Sequence, residues 1–457
     1  MTDERELLRR TAELASDYLD TLDTRPIRPE RRYAEMLAAL DGPVPELPTD
    51  ALAVIEELAA AAEPGLTAMG SGRFFGFVIG GSVPSATAAD WLVTAWDQNT
   101  GLAEATPATS ALEQVAGRWV LELLGLPAHS SFAFVTGCQM AHVTCLAAAR
   151  QAVYRRAGVD LTESGLASAP PLRVVVGAKR HVTLTRALRL LGIGRAQEVV
   201  IPADALGRMH VERLGDVLER GVPTIVCAQA GEVNTGSFDD LDGIADAVAG
   251  TDAWVHVDGA FGLWAAASPT LRRLVAGHDR ADSWATDGHK WLNVPYDCGV
   301  ALCKHPADHA AAMEYAAPYL DVSDADVARD PMGYSPEFSR RARSVPVWAA
   351  IRELGRVGVS DLIDRTCTHA RALAAGLAEL PDCELVNDVV LNQVLVRFAT
   401  DEQTKAVVAA VQQEGEAWMS PTTWDDRAAI RLSVSCWRTS DDDVRRTLDA
   451  FRRATHA

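Results

Sequence analysis

The sequence lacks the features that mark several large classes of protein. Its eight cysteines include no Cys-x-x-Cys pair and no zinc-finger spacing, so neither a disulfide framework nor a metal site is expected. Lysine and arginine number 43 against 62 aspartates and glutamates, for a net charge of −19. A nucleic-acid partner is therefore not expected, because binding phosphates needs clustered basic residues. No apolar run reaches the roughly 18 residues of a membrane span, so no membrane association is expected.

The beginning of the chain and its bulk composition suggest an ordinary globular protein. The first ten residues, MTDERELLRR, are charged and contain no apolar signal region, so a cytoplasmic location is expected. Hydrophobic residues make up 48% of the chain and charged residues 23%, which is typical of globular domains. The 457 residues suffice for one large domain and a smaller one.

Hydrophobic patterning divides the chain into three parts. Residues 1–84 are predicted to form an N-terminal helical arm, because helical spacing there is interrupted by prolines. Residues 85–345 are predicted to form a large α/β domain, because Val- and Ile-rich runs that do not alternate are separated by helical stretches. Residues 346–457 are predicted to hold a connecting helix and a small C-terminal α+β domain. The predicted strands of the large domain are Phe132–Val135, Leu172–Val176, Glu198–Ile201, Thr224–Ala228, Trp254–Val257, Ser283–Thr286 and an antiparallel return, Gly299–Cys303.

Two of these strands lead into the residues most suggestive of chemistry. Asp258 directly follows one strand, and Lys290 lies four residues beyond another. Pyridoxal phosphate needs a lysine amine for its Schiff base and a carboxylate that keeps its pyridine nitrogen protonated. Either residue alone is more often an ordinary turn or surface residue. Ligands of parallel sheets bind at the C-terminal strand ends, so the pair predicts a pyridoxal phosphate site.

Three weaker features occur at other strand ends. Gly137, Cys138 and Gln139 join a strand to a helix, where free amides and the helix dipole favour a phosphate, although such turns are common. His181 could stack on the pyridine ring or be a solvated loop residue. His289 could bind the phosphate or orient Lys290.

With these residues placed, the chain resembles the group II pyridoxal-phosphate-dependent amino-acid decarboxylases, the family of aromatic-amino-acid and glutamate decarboxylases. The most specific segments are HVDGAFG and DSWATDGHKWLNVPYDCG, accompanied in order by RFFGF, ATPATSALE, SRRARSVPVW and IRLSV. The resemblance implies fold type I of the pyridoxal-phosphate enzymes, the aspartate aminotransferase fold, with a mostly parallel central sheet and helices on both faces. It also implies a homodimer with active sites at the subunit interface.

The resemblance assigns roles to individual residues. Lys290 would form the internal aldimine, Asp258 would pair with the pyridinium nitrogen, and Ala260 and His181 would lie on opposite ring faces. Arg431 would meet the substrate carboxylate, and residues 102–106 would come from the neighbouring subunit. The full set of expected cofactor contacts is Gly137, Cys138, Gln139, His181, Asn234, Asp258, Ala260, His289 and Lys290, and the expected substrate contacts are Phe75 and Arg431.

Some positions depart from the family pattern. Glu232 and Asp287 place carboxylates near the expected phosphate, so at least one of them is expected to point elsewhere. Tyr334 is the only tyrosine in the irregular segment 321–342. It is therefore the candidate acid that protonates Cα after CO₂ leaves, with His181 in reserve. If Tyr334 does not reach the site, the product could shift from an amine to an aldehyde.

The expected activity is decarboxylation of an L-amino acid to its amine and CO₂ through the Lys290 aldimine and a quinonoid. One alternative keeps the cofactor and changes the reaction to an aldehyde synthase, aldolase or transaminase. Another is a non-catalytic binding or scaffold subunit, which intact Lys290 and Asp258 disfavour. Arg73 could meet an acidic substrate or be a surface residue, and Trp418, Trp424 and Trp437 could line a pocket or fill a core. The substrate is therefore left open.

Overall fold

The computed structural model of the chain describes residues 3–313 and 329–456. The helices are α1 (Glu4–Asp20), α2 (Tyr33–Leu40), α3 (Ala51–Ala62), α4 (Pro84–Trp96), α5 (Pro107–Leu123), α6 (Cys138–Arg156), α7 (Leu161–Ser164), α8 (Val182–Leu190), α9 (Leu241–Val248), α10 (Pro306–Met313), α11 (Ser344–Ala378), α12 (Asp401–Glu414) and α13 (Asp441–His456). The strands are β1 (Phe74–Phe75), β2 (Ser131–Val135), β3 (Arg173–Gly177), β4 (Glu198–Ile201), β5 (Thr224–Gln229), β6 (Trp254–Asp258), β7 (Ser283–Asp287), β8 (Gly299–Cys303), β9 (Glu384–Leu385), β10 (Gln393–Arg397), β11 (Trp418–Trp424) and β12 (Arg427–Ser433).

A seven-stranded sheet forms the centre of the large domain, in the order β2-β8-β7-β6-β5-β3-β4. Strand β8 runs antiparallel to both of its neighbours, and the other neighbouring pairs are parallel. Side chains alternate between the two faces of a strand. Val175 accordingly packs in the cluster that includes residues of α5 and α11, whereas Val174 packs with residues of α6 and α8. Helices therefore cover both faces, and the predicted mostly parallel sheet is confirmed.

The C-terminal ends of the parallel strands bring the candidate residues to one edge. Strand β6 ends at Asp258, and β7 ends at Asp287, three residues before Lys290. The two strands pair in parallel with Asp258 opposite Ala285. At the end of β2, which is separated from β7 by β8, the chain turns through Gly137 into the N-terminus of α6. The predicted strand ends thus become neighbours at the edge where such sheets bind ligands.

A second, five-stranded sheet lies in the C-terminal part, in the order β1-β11-β12-β10-β9. The 35-residue helix α11 leads into it, interrupted at Gly355, where φ is 59°. This left-handed backbone is one that glycine adopts readily. Strand β1 pairs in parallel with β11, so the last part of the predicted N-terminal arm joins this small sheet. The predicted domain boundaries at 84/85 and 345/346 stay predictions.

Several local predictions differ from the structure. One of the helical stretches expected between the strands of the large domain is only a short 3₁₀ helix, Val211–Asp216. Helix α4 and strand β11 were not predicted, because α4 begins with a proline and β11 contains Pro421 amid polar residues. Residues 321–328 of the irregular segment lie outside the described residues. No helix within the described ranges is long and apolar enough to cross a membrane.

Candidate active site

Lys290 and Asp258 face each other across the edge of the sheet. The Lys290 side chain is 20% exposed, and its Nζ lies 3.2 Å from Oδ2 of Asp287. Burial by itself lowers the pKa of the Lys290 amine, but the surrounding negative charges, led by Asp287, outweigh it and hold that pKa above its usual value. Asp258 is 5% exposed. Burial by itself raises its pKa, but His142, His181 and Lys290 outweigh burial and hold the pKa of Asp258 well below its usual range.

A buried chain of hydrogen bonds, here called the relay, runs from Asp258 into the core. Oδ2 of Asp258 lies 3.5 Å from Nε2 of His142, and Nδ1 of His142 lies 2.9 Å from Nε2 of His256. Nδ1 of His256 lies 2.9 Å from the Ser283 hydroxyl, which also accepts a 2.8 Å bond from the Trp254 indole. The His142, His256, Ser283 and Trp254 side chains are fully buried.

The Trp254 indole fixes which group is the donor in each hydrogen bond of the relay, because an indole N–H can only donate. Ser283 accepts from Trp254 and can give its own proton to Nδ1 of His256. His256 then carries its proton on Nε2 and donates to His142, which donates from Nε2 to Asp258. Burial lowers the pKa of His256 to about 3, so this imidazole is neutral. The relay therefore ends with His142 donating a hydrogen bond to Asp258, and such a bond favours the ionised form of the carboxylate.

The turn from β2 into α6 forms a cradle beside Lys290. Gly137 is extended, with φ 164°, and a Cβ added there would lie 3.3 Å from Cε1 of His289. Nδ1 of His289 accepts a 3.1 Å bond from the Cys298 amide, so the ring proton is on Nε2. Burial lowers the pKa of His289, which keeps the ring neutral, and Tyr296 stacks on it at 4.3 Å. Burial also raises the pKa of the Cys138 thiol well above its usual value.

The two acidic departures from the family pattern point in different directions. Glu232 is bound within its own loop by the amides of Asn234 and Thr235, both at 2.7 Å. Asp287 instead points into the cradle, where Oδ1 accepts a 2.6 Å bond from the Cys138 amide. The expectation that one carboxylate points elsewhere therefore holds for Glu232 and not for Asp287.

The other predicted cofactor residues have the following contacts. His181 caps the N-terminus of α8 and lies 2.7 Å from the Thr183 hydroxyl. Burial lowers its pKa, with Asp258 opposing that shift. The Ala260 amide donates a 3.2 Å bond to Asp258. Asn234 accepts from Thr422 at 2.9 Å, and Gln139 is half-buried in the first turn of α6. The role of each remains a prediction.

Arg431 reaches the region from the small domain. It is 8% exposed, donates to the Phe77 carbonyl at 3.1 Å, and its Nε has no partner among the described residues. Burial lowers the pKa of Arg431 to about 10, with Glu232 opposing the shift. Phe75, the other predicted substrate contact, is 1% exposed and packs in the core of the small domain. Its substrate role remains a prediction that this placement does not support.

The remaining aromatic and arginine candidates are dispersed. Arg73 is 1% exposed and donates to the carbonyls of Asp23, Arg25 and Glu416, so it is neither the surface residue nor the substrate contact considered above. Trp418 stacks against Phe74 and Phe77, Trp424 lies beneath Lys179, and Trp437 bonds the Ser82 carbonyl.

Tyr334 lies at the end of a 3₁₀ helix, Pro331–Tyr334. Arg329 stacks over its ring at 4.0 Å, and the His309 ring meets it edge-on at 5.2 Å. The ring also packs beside the cluster that contains Cys138. Tyr334 therefore lies close to the β2–α6 turn, and its role as the acid remains a prediction.

The residues present fit pyridoxal phosphate. The cradle at Gly137 offers the Cys138 amide and the Nε2–H of His289 to an anion, Lys290 offers the amine, and ionised Asp258 suits a protonated ring nitrogen. The relay residues His142, His256 and Ser283 were missed from the sequence. A signal existed, since His142 follows Cys138 by one helical turn and His256 precedes Asp258 by two strand positions, each pair sharing one face.

The chain is similar to known proteins over most of its length. Residues 34–399 match the model of the family described as pyridoxal-dependent decarboxylase conserved domain. The chain is 30% identical to L-2,4-diaminobutyrate decarboxylase of Rhizobium meliloti (strain 1021), over 90% of this chain and 83% of that protein. It is 26% identical to aromatic-L-amino-acid decarboxylase of Bacillus atrophaeus, over 96% of this chain and 93% of that protein. The crystal structure of Oryza sativa TDC with PLP and tryptamine has the same fold, with a TM-score of 0.92, 23% identity, and coverage of 99% and 97%.

The chain therefore belongs to the pyridoxal-dependent decarboxylase family. It is a pyridoxal-5′-phosphate-dependent amino-acid decarboxylase, a carboxy-lyase, and the predicted fold, cofactor and reaction class are confirmed.

Proposed function

We propose that the chain converts an L-amino acid to its amine and CO₂, with Lys290 as the covalent anchor of the cofactor and Asp258 as the partner of its ring nitrogen. The observation that carries this proposal is the pair itself, a buried lysine and a buried ionised aspartate at adjacent strand ends. When bound, pyridoxal phosphate supplies a ring that accepts the electron pair left at Cα when the carboxylate departs.

The side chains around that ring have separate tasks. Asp258, held ionised by the donor end of the relay, keeps a proton on the facing ring nitrogen. His181, whose pKa burial lowers, would offer the flat face of its imidazole to that ring. Arg431, which is 8% exposed and whose Nε has no partner within the described ranges, is suited to orient a carboxylate. Orientation matters because the bond that breaks must stand perpendicular to the ring.

Tyr334 is the proposed donor of the proton to Cα. The Arg329 guanidinium stacks over its ring at 4.0 Å, and the ring packs beside the cluster that contains Cys138. Its contacts with Arg329 and His309 also support the second candidate, because a tyrosine held there could fail to reach Cα. The product would then be an aldehyde, with dioxygen as the oxidant and with CO₂, ammonia and hydrogen peroxide as the other products.

We also propose a homodimer in a reducing, cytoplasmic compartment. Helices α1, α2 and α3 have no fully buried residue, and Phe77 and Tyr296 beside the site are 55% and 58% exposed. A second copy that covers these surfaces would enclose the site. All eight cysteines are free thiols, as in cytosolic proteins.

Product analysis tests the proposal. The purified protein, saturated with pyridoxal phosphate, is incubated with each common L-amino acid while CO₂, amine, aldehyde and ammonia are measured. Amine and CO₂ in equal amounts from one amino acid are expected. Aldehyde with ammonia would establish the second candidate instead, and Tyr334→Phe should then leave the product unchanged.

The lysine assignment has a built-in control, because the chain contains four lysines, at positions 179, 290, 304 and 405. Borohydride reduction followed by peptide mapping should place the cofactor on Lys290. Lys290→Ala should abolish CO₂ release and the visible absorbance, whereas Lys405→Ala, an exposed position on α12, should retain both. Full activity in Lys290→Ala would refute the proposal.

A further inference from the structure

Asp287 occupies the position in the cradle that is best suited to an anion. It is 2% exposed at the end of β7, and its Oδ1 accepts the Cys138 amide at 2.6 Å, at the N-terminus of α6. The same oxygen lies 3.6 Å from Nε2 of His289, and Oδ2 lies 3.2 Å from Nζ of Lys290. A Cβ added to Gly137 would lie 3.6 Å from Oδ1, so the carboxylate lies within the turn.

The same donors would serve the phosphate of the cofactor. A helix N-terminus and a neutral histidine that presents Nε2–H are suited to a phosphate oxygen. The Cys138 amide has a single hydrogen to donate, so the Asp287 carboxylate and a phosphate oxygen cannot both accept it at full strength. Two anions at this distance in a water-poor site also repel one another.

Glu232, the other acidic departure from the family pattern, differs from Asp287 because its hydrogen-bond donors come from its own loop. Its two oxygens accept from four donors of its own loop, namely the amide and side-chain nitrogen of Asn234 and the amide and hydroxyl of Thr235. Asp287 has no comparable local set among the described residues, since its polar contacts are Cys138, His289 and Lys290. Its charge is therefore directed at the cradle.

We propose that Asp287 competes with the cofactor phosphate for the Cys138 amide and thereby weakens the hold of this protein on pyridoxal phosphate. Cofactor capture requires the carboxylate to give up this bond, so Asp287 determines how strongly the phosphate contributes to binding. The proposal rests on the proposed function, in which Lys290 anchors the cofactor.

The test compares pyridoxal phosphate with pyridoxal, which carries the aldehyde and the ring but no phosphate. Dissociation constants for both are measured by equilibrium titration, from visible absorbance and from tryptophan fluorescence. Asp287→Asn preserves the shape of the side chain, removes its charge and adds an N–H₂ donor. The variant should bind pyridoxal phosphate at least about tenfold more tightly, since it removes the juxtaposition of two like charges. Its affinity for pyridoxal should stay within about twofold.

A matched control lies at the other end of the same strand. Asp282 accepts the Val255 amide at 2.7 Å, as Asp287 accepts the Cys138 amide, and Asp282→Asn should leave both constants unchanged. Asp287→Ser, a smaller polar replacement, should behave as Asp287→Asn does and serves if that variant does not fold. Thermal unfolding verifies that each variant is native.

Three results would overturn the proposal. Unchanged or weaker binding of pyridoxal phosphate by both Asp287 variants would show that the carboxylate does not oppose the phosphate. An equal gain for pyridoxal phosphate and pyridoxal would show that Asp287 acts through its ion pair with Lys290 instead. A wild-type protein that binds neither compound would overturn the proposed function as well, and so is distinguishable from the first two results.

Discussion

Replacing Glu113 by alanine should destabilise the protein far more than removing a second glutamate from the same helix. Glu113 lies on α5, and its Oε2 accepts a 2.8 Å bond from Arg340, with both side chains fully buried. Arg340 also donates to the carbonyls of Thr100 and Phe134 at 3.0 and 2.6 Å. The pair thus links α5 to strand β2 and to the chain that precedes α11.

The size of the effect follows from burial. Without Glu113, the Arg340 guanidinium stays enclosed with no opposite charge, and Arg329, 3.9 Å from Glu113, also loses its carboxylate. Breaking a buried pair by removing one partner costs about 3–5 kcal/mol. Glu122, also on α5, pairs with Arg356, but these side chains are 67% and 58% exposed. An exposed pair contributes about 0–1 kcal/mol.

The assay is urea unfolding of the cofactor-saturated protein, followed by far-ultraviolet circular dichroism. Glu113→Ala should lower the free energy of unfolding by about 3–5 kcal/mol, and Glu122→Ala by at most about 1 kcal/mol. Adding Arg340→Met to Glu113→Ala should restore part of the loss, because the uncompensated charge is then gone. Equal effects of Glu113→Ala and Glu122→Ala would refute the reasoning.

Two other predictions concern the buried histidines. Nitrogen-15 correlation spectra of histidine-labelled protein should show the His256 proton on Nε2. Trp254→Phe removes the indole N–H that fixes the direction of the Ser283 hydroxyl, so both His256 tautomers should then appear. A proton on Nδ1 in the wild type would contradict the order of donors in the relay. Burial lowers the pKa of His256 and of His309 to about 3 in the folded protein, below the usual 6.5, so the folded state binds fewer protons than the unfolded state between these values. Their contribution to stability is thus fully present above pH 6.5 and is lost as the pH falls toward 3, by roughly 2–3 kcal/mol for each histidine at pH 4.5. Thermal unfolding between pH 7 and 4.5 measures how steeply stability falls with pH. His309→Phe should make this fall less steep, and substitution of the exposed His129 should leave it unchanged. A melting temperature that does not depend on pH would contradict the prediction.

The local pattern of the sequence predicted much of the large domain. All seven predicted strands exist within one or two residues of the expected bounds, because buried parallel strands leave continuous Val- and Ile-rich runs. The ends of two such runs mark Asp258 and Lys290, and the position of each strand end is a local property. Local signals failed where neighbouring elements determine the outcome, as at β11, which pairs with β1 across more than 340 residues of sequence.

The candidate site shows the same division. Lysine, aspartate and histidine at strand ends could be selected from the sequence because strand ends of a parallel sheet meet at one edge. The relay could not be assembled from the sequence, because His142, His256 and Ser283 lie on α6, β6 and β7 and meet only through packing. Arg73 shows the opposite error, since a charged side chain is usually exposed and only the packing around the N-terminal arm shows that it is buried.

The sequence by itself predicted a pyridoxal phosphate site, because the cofactor demands particular residue types and those residues follow recognisable strands. The decarboxylase family came from the resemblance of several segments of the sequence to that family. Only the tertiary structure decided which of the two acidic departures points into the cradle at Gly137. Glu232 and Asp287 are equivalent as letters in the sequence, but Glu232 finds four donors within its own loop, whereas Asp287 finds its donor on a helix 149 positions away. A buried carboxylate points toward hydrogen-bond donors, and the packing of the whole domain determines the positions of donors that are distant in the sequence.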